Sequence, residues 1–236
     1  MHITYFDDYQ AMSQRACSIF MEVLHHKKNA LICAATGGSP AGLYQGLAQA
    51  YTIQPTLFNH LRVLKLDEWG GIPMNDPNTC ESYLVKHFLN PLHIQHDRMI
   101  SFNSLASDPV AECVRVQREI NKTGPIDCCM LGLGKNGHIG FNEPAAVLDG
   151  NCHVGQLSAA SLAHSMTKMM TLTPEFAMTV GMKAILQSKM ILFLVTGQGK
   201  QEVIKKLLEE KISTQLPASF LWLHPNVHCL IDKTSC

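Results

Sequence analysis

Ile126-Asp-Cys-Cys-Met-Leu131 runs directly into Gly132-Leu-Gly-Lys-Asn-Gly-His138-Ile-Gly-Phe-Asn-Glu143-Pro144. The first part is a short, mostly apolar run of strand length, without the polar alternation of a sheet that has one wet face. Such runs belong to strands buried on both sides. The second part is a glycine loop carrying several polar side chains. The same unit recurs along the chain. Ala30-Leu-Ile-Cys-Ala-Ala35 leads into Thr36-Gly-Gly-Ser-Pro40 and then a helical pattern with Leu43, Leu47 and Tyr51 on one face. Val63-Leu-Lys-Leu66 ends at Asp67-Glu68-Trp69. Met190-Ile-Leu-Phe-Leu-Val195 ends at Thr196-Gly-Gln-Gly-Lys200, followed by a helix through Leu208, and Val227-His-Cys-Leu-Ile231 is a last strand. Helix starts are expected at Asn78-Thr-Cys-Glu81, where a capping residue stands three before a glutamate, at Asp108-Pro109, and at Thr173-Pro174-Glu175.

Apolar strands alternating with amphipathic helices predict an α/β fold: a doubly wound, mostly parallel sheet with helices on both faces, a Rossmann-like three-layer sandwich. No repeat, charge block or Pro/Gly/Ser-rich linker divides residues 1–236, so a single domain is expected. In open sheets of this kind ligands bind beyond the carboxyl ends of the strands. Every glycine loop above falls at that edge.

Apolar residues make up 46% of the chain and charged residues 16%, enough to bury a sizeable core. Lys+Arg and Asp+Glu are 19 each, so no basic excess points to nucleic acid or an anionic membrane. An anionic ligand must then be held by a few placed groups. The beginning, Met1-His-Ile-Thr-Tyr-Phe-Asp-Asp8, has no basic segment followed by a long apolar one, and no apolar run is long enough to span a bilayer. Nine cysteines, none in a Cys-x-x-Cys pair, fit reduced and mostly buried thiols. A cytoplasmic protein is expected. Association into a homo-oligomer is compatible with the sequence but not readable from it.

Thr36, Gly37, Gly38 and Ser39 join a strand to a helix. Glycines let the backbone approach an anion, and the helix N-terminus offers free N–H groups. The loop therefore reads as a phosphate cradle or as a plain connecting turn. Asp67 at a strand end is a base if burial tunes its pKa, or else a polar strand terminus or cap. The segment Lys135–Pro144 places Asn136, His138, Asn142 and Glu143 directly after a buried strand. Histidine titrates near neutrality, and a nearby carboxylate orients it and supports its charged form. Lys200, at the mouth of a helix, suits a phosphate; the alternative is a solvated lysine. Lys168 lies in a stretch without clear period, and Met166, Met169 and Met170 beside it read as packing. Cys128 and Cys129 point to opposite faces of a strand and cannot chelate one metal.

Thr36-Gly-Gly-Ser-Pro40, Leu66-Asp-Glu-Trp69, Gly132-x-Gly-Lys-Asn-Gly-His-Ile-Gly-Phe-Asn-Glu-Pro144 and Thr196-Gly-Gln-Gly-Lys200 resemble, in order and spacing, the glucosamine-6-phosphate deaminase family over essentially the whole chain. The related 6-phosphogluconolactonases share the Gly-His but are not expected to carry Phe-Asn-Glu-Pro. Within the family, Trp69, Lys135-Asn-Gly-His138 and Pro217-Ala-Ser-Phe-Leu-Trp222-Leu-His224 look most like the galactosamine-6-phosphate deaminase/isomerase branch. Glucosamine enzymes more often have Tyr in place of Trp69 and Gln in place of Trp222.

The resemblance implies an amino-sugar phosphate as the small-molecule partner and a reaction with no cofactor and no metal. His138 moves a proton to open the sugar ring, with Glu143 and Asn136 setting its charge and tautomer. Asp67 takes the C2 proton and returns it to C1, and hydrolysis of the resulting imine releases ammonia and a ketose 6-phosphate. Residues 36–39 with Lys200 and Lys168 hold the phosphate. Two departures stand out. Many members have aspartate where this chain has Asn136. The basic residues that bind an N-acetyl sugar phosphate in allosteric members are missing from Asn151-Cys-His-Val-Gly155, and the longer C-terminal tail is absent, so no activation by such a ligand is expected. A lactonase-type hydrolase would have no use for Asp67 as a C2 proton shuttle. A sugar-phosphate sensor would accompany a DNA-binding segment and often lose the acids, whereas Asp67, His138 and Glu143 are all present.

Overall fold

The computed structural model describes residues 1–162 and 166–235. Among the described residues ten strands form: β1 (His2–Phe6), β2 (Leu31–Ala34), β3 (Arg62–Lys65), β4 (Asp67–Gly70), β5 (Met99–Ile100), β6 (Cys128–Gly132), β7 (His153–Gly155), β8 (Phe176–Thr179), β9 (Ile191–Val195) and β10 (Val227–Asp232). Between them lie α1 (Tyr9–His26), α2 (Gly38–Ile53), α3 (Cys80–Leu84), α4 (Pro109–Thr123), α5 (Ala159–Leu162), α6 (Met182–Leu186) and α7 (Gln201–Leu207). Seven strands make one sheet in the order β1-β10-β9-β6-β2-β3-β5, with every pair parallel.

Period-two alternation sorts the strand side chains into two cores. Ile32, Ala34, Cys128, Met130, Leu192 and Leu194 face α1 and α2 and pack on Phe20, Leu24, Leu43 and Tyr44. Cys33, Cys129, Leu131, Phe193 and Ile231 face α4, α6 and α7 and pack on Val116, Ile120, Ile185 and Ile204. The three-layer arrangement expected from the sequence is present, and Cys128 and Cys129 do point into different layers. Eight cysteines are free thiols, seven of them buried; Cys236 lies outside the described residues. Among the described residues no helix is long and apolar enough to cross a membrane.

Two local expectations are corrected. Thr173-Pro174-Glu175 does not open a helix. The residues after it form β8, which pairs antiparallel with β4 on one side and β7 on the other in a second, three-stranded sheet. Pairing along two neighbouring strands outweighs a local capping signal. Likewise, Asp67-Glu68-Trp69 does not simply terminate β3; these residues begin β4, and Leu66 marks the step from one sheet to the other. The helix start near residue 78 is present one position later. Thr79 is the cap, accepting from Ser82 N, and α3 runs on into a π-helical turn at Val85–Leu89.

From β2 the chain builds outward through β3 and β5, and from β6 it builds the other way through β9 and β10. The direction reverses between β2 and β6. The loops after these two strands are Thr36–Ser39 and Gly132–Pro144, so they open side by side at the position where such sheets bind ligands.

Candidate active site

A cavity of about 860 Å³ lies there, floored by Thr36, Gly37, Gly38 and Ser39 after β2 and walled by Asp67, Trp69, Lys135, His138, Phe141 and Lys200. Four separate strand ends therefore converge on one space. Asn142 pins the loop after β6: its Nδ2 donates to Ile139 O (2.9 Å) and Val180 O (3.0 Å), and Phe141 N donates to Thr179 Oγ1 on β8 (3.1 Å). Gly140, at φ +57, passes so close to β8 that a Cβ would stand 2.8 Å from Thr179 Oγ1.

His138 Nδ1 is buried 3.4 Å from Glu143 Oε2 without a hydrogen bond of normal geometry. Glu143 Oε2 also accepts Asn136 Nδ2 at 2.7 Å, while Oε1 accepts the Ser158 hydroxyl at 2.9 Å and the Ser161 hydroxyl. Burial alone would raise this carboxyl. The imidazole of His138, together with the Ser161 and Asn136 donors, holds it instead at about 2. Glu143 is thus a fixed anion beside the ring. Asn136 bridges the two, because its Oδ1 accepts His138 N at 3.2 Å.

Asp67 behaves in the opposite way. Burial, and then the neighbouring Glu68 charge, push its carboxyl up to about 7; the Cys80 thiol, His138 and Lys65 pull against that rise. Its Oδ1 accepts from Cys80 Sγ at 3.6 Å, and its Oδ2 lies 3.5 Å from the Cβ position of the cavity-lining Gly140. Beneath it lies a buried ion network. Lys65 Nζ donates to Glu68 Oε2 (2.6 Å), Glu81 Oε2 (2.7 Å) and Phe102 O (3.0 Å), and Glu68 Oε1 accepts the backbone N–H groups of Trp69 (2.8 Å) and Cys80 (3.0 Å). The acid pair Asp67 and Glu143 therefore has widely split proton affinities, the mark of distinct acid–base assignments in one site.

The floor suits an anion. Gly37 caps the sixteen-residue α2 at φ +87 with no side-chain cap, which leaves the first N–H groups of the helix open. Tyr9 Oη donates to Gly38 O at 2.7 Å and accepts Gly42 N at 2.6 Å, and Tyr83 Oη donates to Gly37 O at 2.6 Å. These bonds hold the loop from behind. Across the floor Lys200 is brought down to about 8, mainly by burial and then by the charge of Lys135. Two cations facing one uncapped helix end form a seat for a dianion such as a phosphate ester.

The structure brings together Asp67, Asn136, His138, Glu143, Thr36, Gly37, Gly38, Ser39 and Lys200. It does not bring in Lys168, which is exposed on the turn Thr167–Met169 and does not line the cavity, whereas Lys135 does. Trp69 is a cavity wall, with its ring edge-on to Phe141 at 4.5 Å, whereas Trp222 lies away from the cavity and donates to Leu207 O at 2.8 Å. Lys135 stood within the motif but was not singled out from the sequence as a second cation. Cys80, Ser158, Ser161 and Tyr9 carried no local signal.

Residues 7–230 match the family described as glucosamine-6-phosphate isomerases/6-phosphogluconolactonase. The chain is 42% identical to the putative deaminase AgaI of Escherichia coli (strain K12), covering 96% of this chain and 90% of that protein. It is 35% identical to glucosamine-6-phosphate deaminase 1 of Bacillus subtilis (strain 168), covering 95% and 94%. Its fold superposes on a solved monomeric glucosamine-6-phosphate deaminase with a TM-score of 0.94 at 34% identity, covering 99% of this chain and 98% of that one. A parallel sheet whose strand ends bring a raised aspartate, a histidine backed by an ionised glutamate and two lysines together thus coincides with a match over nearly the full length, and the chain belongs to the glucosamine-6-phosphate isomerase/6-phosphogluconolactonase family.

Proposed function

We propose that this chain is an amino-sugar 6-phosphate deaminase/isomerase that converts galactosamine 6-phosphate to tagatose 6-phosphate and ammonia. The observation that carries this reading is the buried Asp67 carboxyl, raised to about 7, sharing a cavity with His138, which stands 3.4 Å from the ionised Glu143. The phosphate rests on residues 36–39, Lys200 and Lys135, and its binding energy fixes the sugar for reaction. His138 carries a proton from O1 to the ring oxygen, so the pyranose opens to an aldehyde. The Glu143 carboxylate stabilises the imidazolium while it holds that proton. Asp67 then removes the C2 proton, giving an enolamine, and returns a proton to C1. The product is an imine at C2, and water adds to it to release ammonia and leave the ketose phosphate. A base with a pKa near neutrality is suited to both taking and returning a proton.

The galacto preference is supported by Trp69 at the cavity wall, where the glucosamine branch more often has tyrosine. A second reading, glucosamine 6-phosphate to fructose 6-phosphate, is favoured by the names of the 35% relative and of the superposed structure. The test is ammonia release from the two amino-sugar phosphates, run beside hydrolysis of 6-phosphogluconolactone. Ammonia appearing in step with ketose 6-phosphate, faster from the galacto substrate, supports the proposal. Faster release from the glucosamine ester selects the second reading, and lactone hydrolysis without ammonia release refutes both.

A further inference from the structure

Cys80 is buried at the first position of α3, lines the cavity, and stands between two other cavity groups. Thr36 Oγ1 donates to its sulfur at 3.5 Å, and its thiol donates to Asp67 Oδ1 at 3.6 Å, both ordinary lengths for the larger sulfur atom. Its backbone N–H is fixed on Glu68 Oε1 at 3.0 Å. Glu68 is itself held by Lys65, by Trp69 N and by Glu81 N (2.9 Å), so the sulfur is anchored by a fully buried frame.

We propose that Cys80 is a positioning residue for the base: its thiol occupies one carboxylate oxygen of Asp67, so that the other, Oδ2, alone faces the sugar carbons. The proposal rests on the reading of Asp67 as the C2 base. A base that serves two adjacent carbons on one face must present the same oxygen to both, and a carboxylate free to rotate does not. The donor arrangement sets that orientation. Thr36, whose hydroxyl is engaged by the sulfur, polarises the thiol toward the carboxylate and contributes to the phosphate seat through its backbone. The thiol is poorly suited to act as a nucleophile, because burial and the charges of Glu68 and Asp67 push its pKa well above the usual thiol value.

The groups that bear on Asp67 are Glu68 on β4, Lys65 on β3, Cys80 on α3 and His138 after β6; Cys33 on β2 and Tyr44 on α2 interact with it from the sheet and helix behind. Of these, Cys80 is the one that donates a hydrogen bond to its carboxylate. Removing that bond destabilises the ionised form, so the acid limb of activity moves to higher pH.

The experiment compares wild type, Cys80→Ala, Cys80→Ser and Asp67→Asn by ammonia release as a function of pH, with thermal unfolding of the same preparations. Cys80→Val, which fills the volume without a donor, backs up the alanine variant should that fail to fold. The donorless variants are expected to lose about tenfold in kcat with KM little changed, and to show an acid limb displaced upward. Serine, which keeps a donor, restores most of both. An unmoved acid limb in Ala and Val, or equal losses in Ala and Ser that follow thermal stability, overturns the positioning role while an inactive Asp67→Asn leaves the base assignment standing. Full activity in Asp67→Asn overturns both.

Discussion

Substituting Gly134 by alanine tests how closely the loop is fitted to its histidine. The added methyl would stand 2.5 Å from Cδ2, Cε1 and Nδ1 of His138, that is, over the face of the ring. Carbon contacts are comfortable at about 3.5 Å, so the imidazole must withdraw by about 1 Å. Gly134 is not among the glycines held at positive φ, so its backbone accepts alanine without strain. The displaced ring leaves its 3.4 Å approach to Glu143 Oε2, the contact that sets its orientation. A misplacement of about 1 Å in a catalytic group costs about 100-fold in rate, or about 2.7 kcal/mol. The assay is ammonia release under saturating substrate, with circular dichroism melting as the control for folding. The expected result is a kcat lowered by about two orders of magnitude with only a small change in melting temperature. A Gly134→Ala enzyme within about twofold of wild type would refute the idea that ring placement by this loop sets the rate.

Four further outcomes are expected. Asp67 acts as a base only when ionised and its pKa stands at about 7, so kcat/KM should fall as pH drops through that value; a flat profile across it speaks against the assignment. The same raised pKa means the folded state binds the proton more tightly than the unfolded chain. Asp67 therefore withdraws stability as pH rises from the ordinary carboxylate range to about 7, and Asp67→Asn should be more stable than wild type at pH 8 by about 1–3 kcal/mol in urea unfolding, with a less stable variant contradicting it. Lys200→Ala and Lys135→Ala should raise KM, by at least about tenfold for the half-buried Lys200 and less for the exposed Lys135, with smaller effects on kcat. Because Lys200 sits at about 8, substrate affinity should also weaken above that pH; titration calorimetry checks this, and an affinity unchanged across it contradicts the expectation.

The inner strands of the central sheet were legible because they are almost fully buried, whereas the edge strands were not: β1 is exposed at His2, Thr4 and Tyr5, and β5 is two residues long. Runs such as Met190–Val195 contain no polar alternation, and only a sheet covered on both faces accepts them. The convergence of the glycine loops followed from the same fact, since parallel strands put all their carboxyl ends at one edge. The second sheet was not legible. Its strands are three or four residues long, β4 and β8 are far apart in sequence, and Thr173-Pro174-Glu175 has the local chemistry of a helix start. What decides there is pairing, which one segment cannot report. The same limit applies within the site. Asp67, His138 and Glu143 stood out as polar groups at strand ends, but the burial and part of the partners that split the proton affinities of Asp67 and Glu143 come from distant parts of the chain. Ser158 and Ser161 reach Glu143, and Lys65 joins Glu68 to Glu81 beneath Asp67. Lys168 and Lys135 were equally available as lysines. Only the path of the backbone separates the one at the cavity from the one on an outer turn.

The account turns on Asp67 as the group that moves the C2 proton. The direct measurement uses the amino-sugar 6-phosphate carrying deuterium at C2, followed by NMR in wild type and in Asp67→Asn at matched enzyme concentration. Wild type should lose the C2 label as ketose phosphate and ammonia form, with part of it appearing at C1, while Asp67→Asn should bind the substrate and leave the C2 label in place. Loss of the C2 label at an undiminished rate in Asp67→Asn would contradict the account.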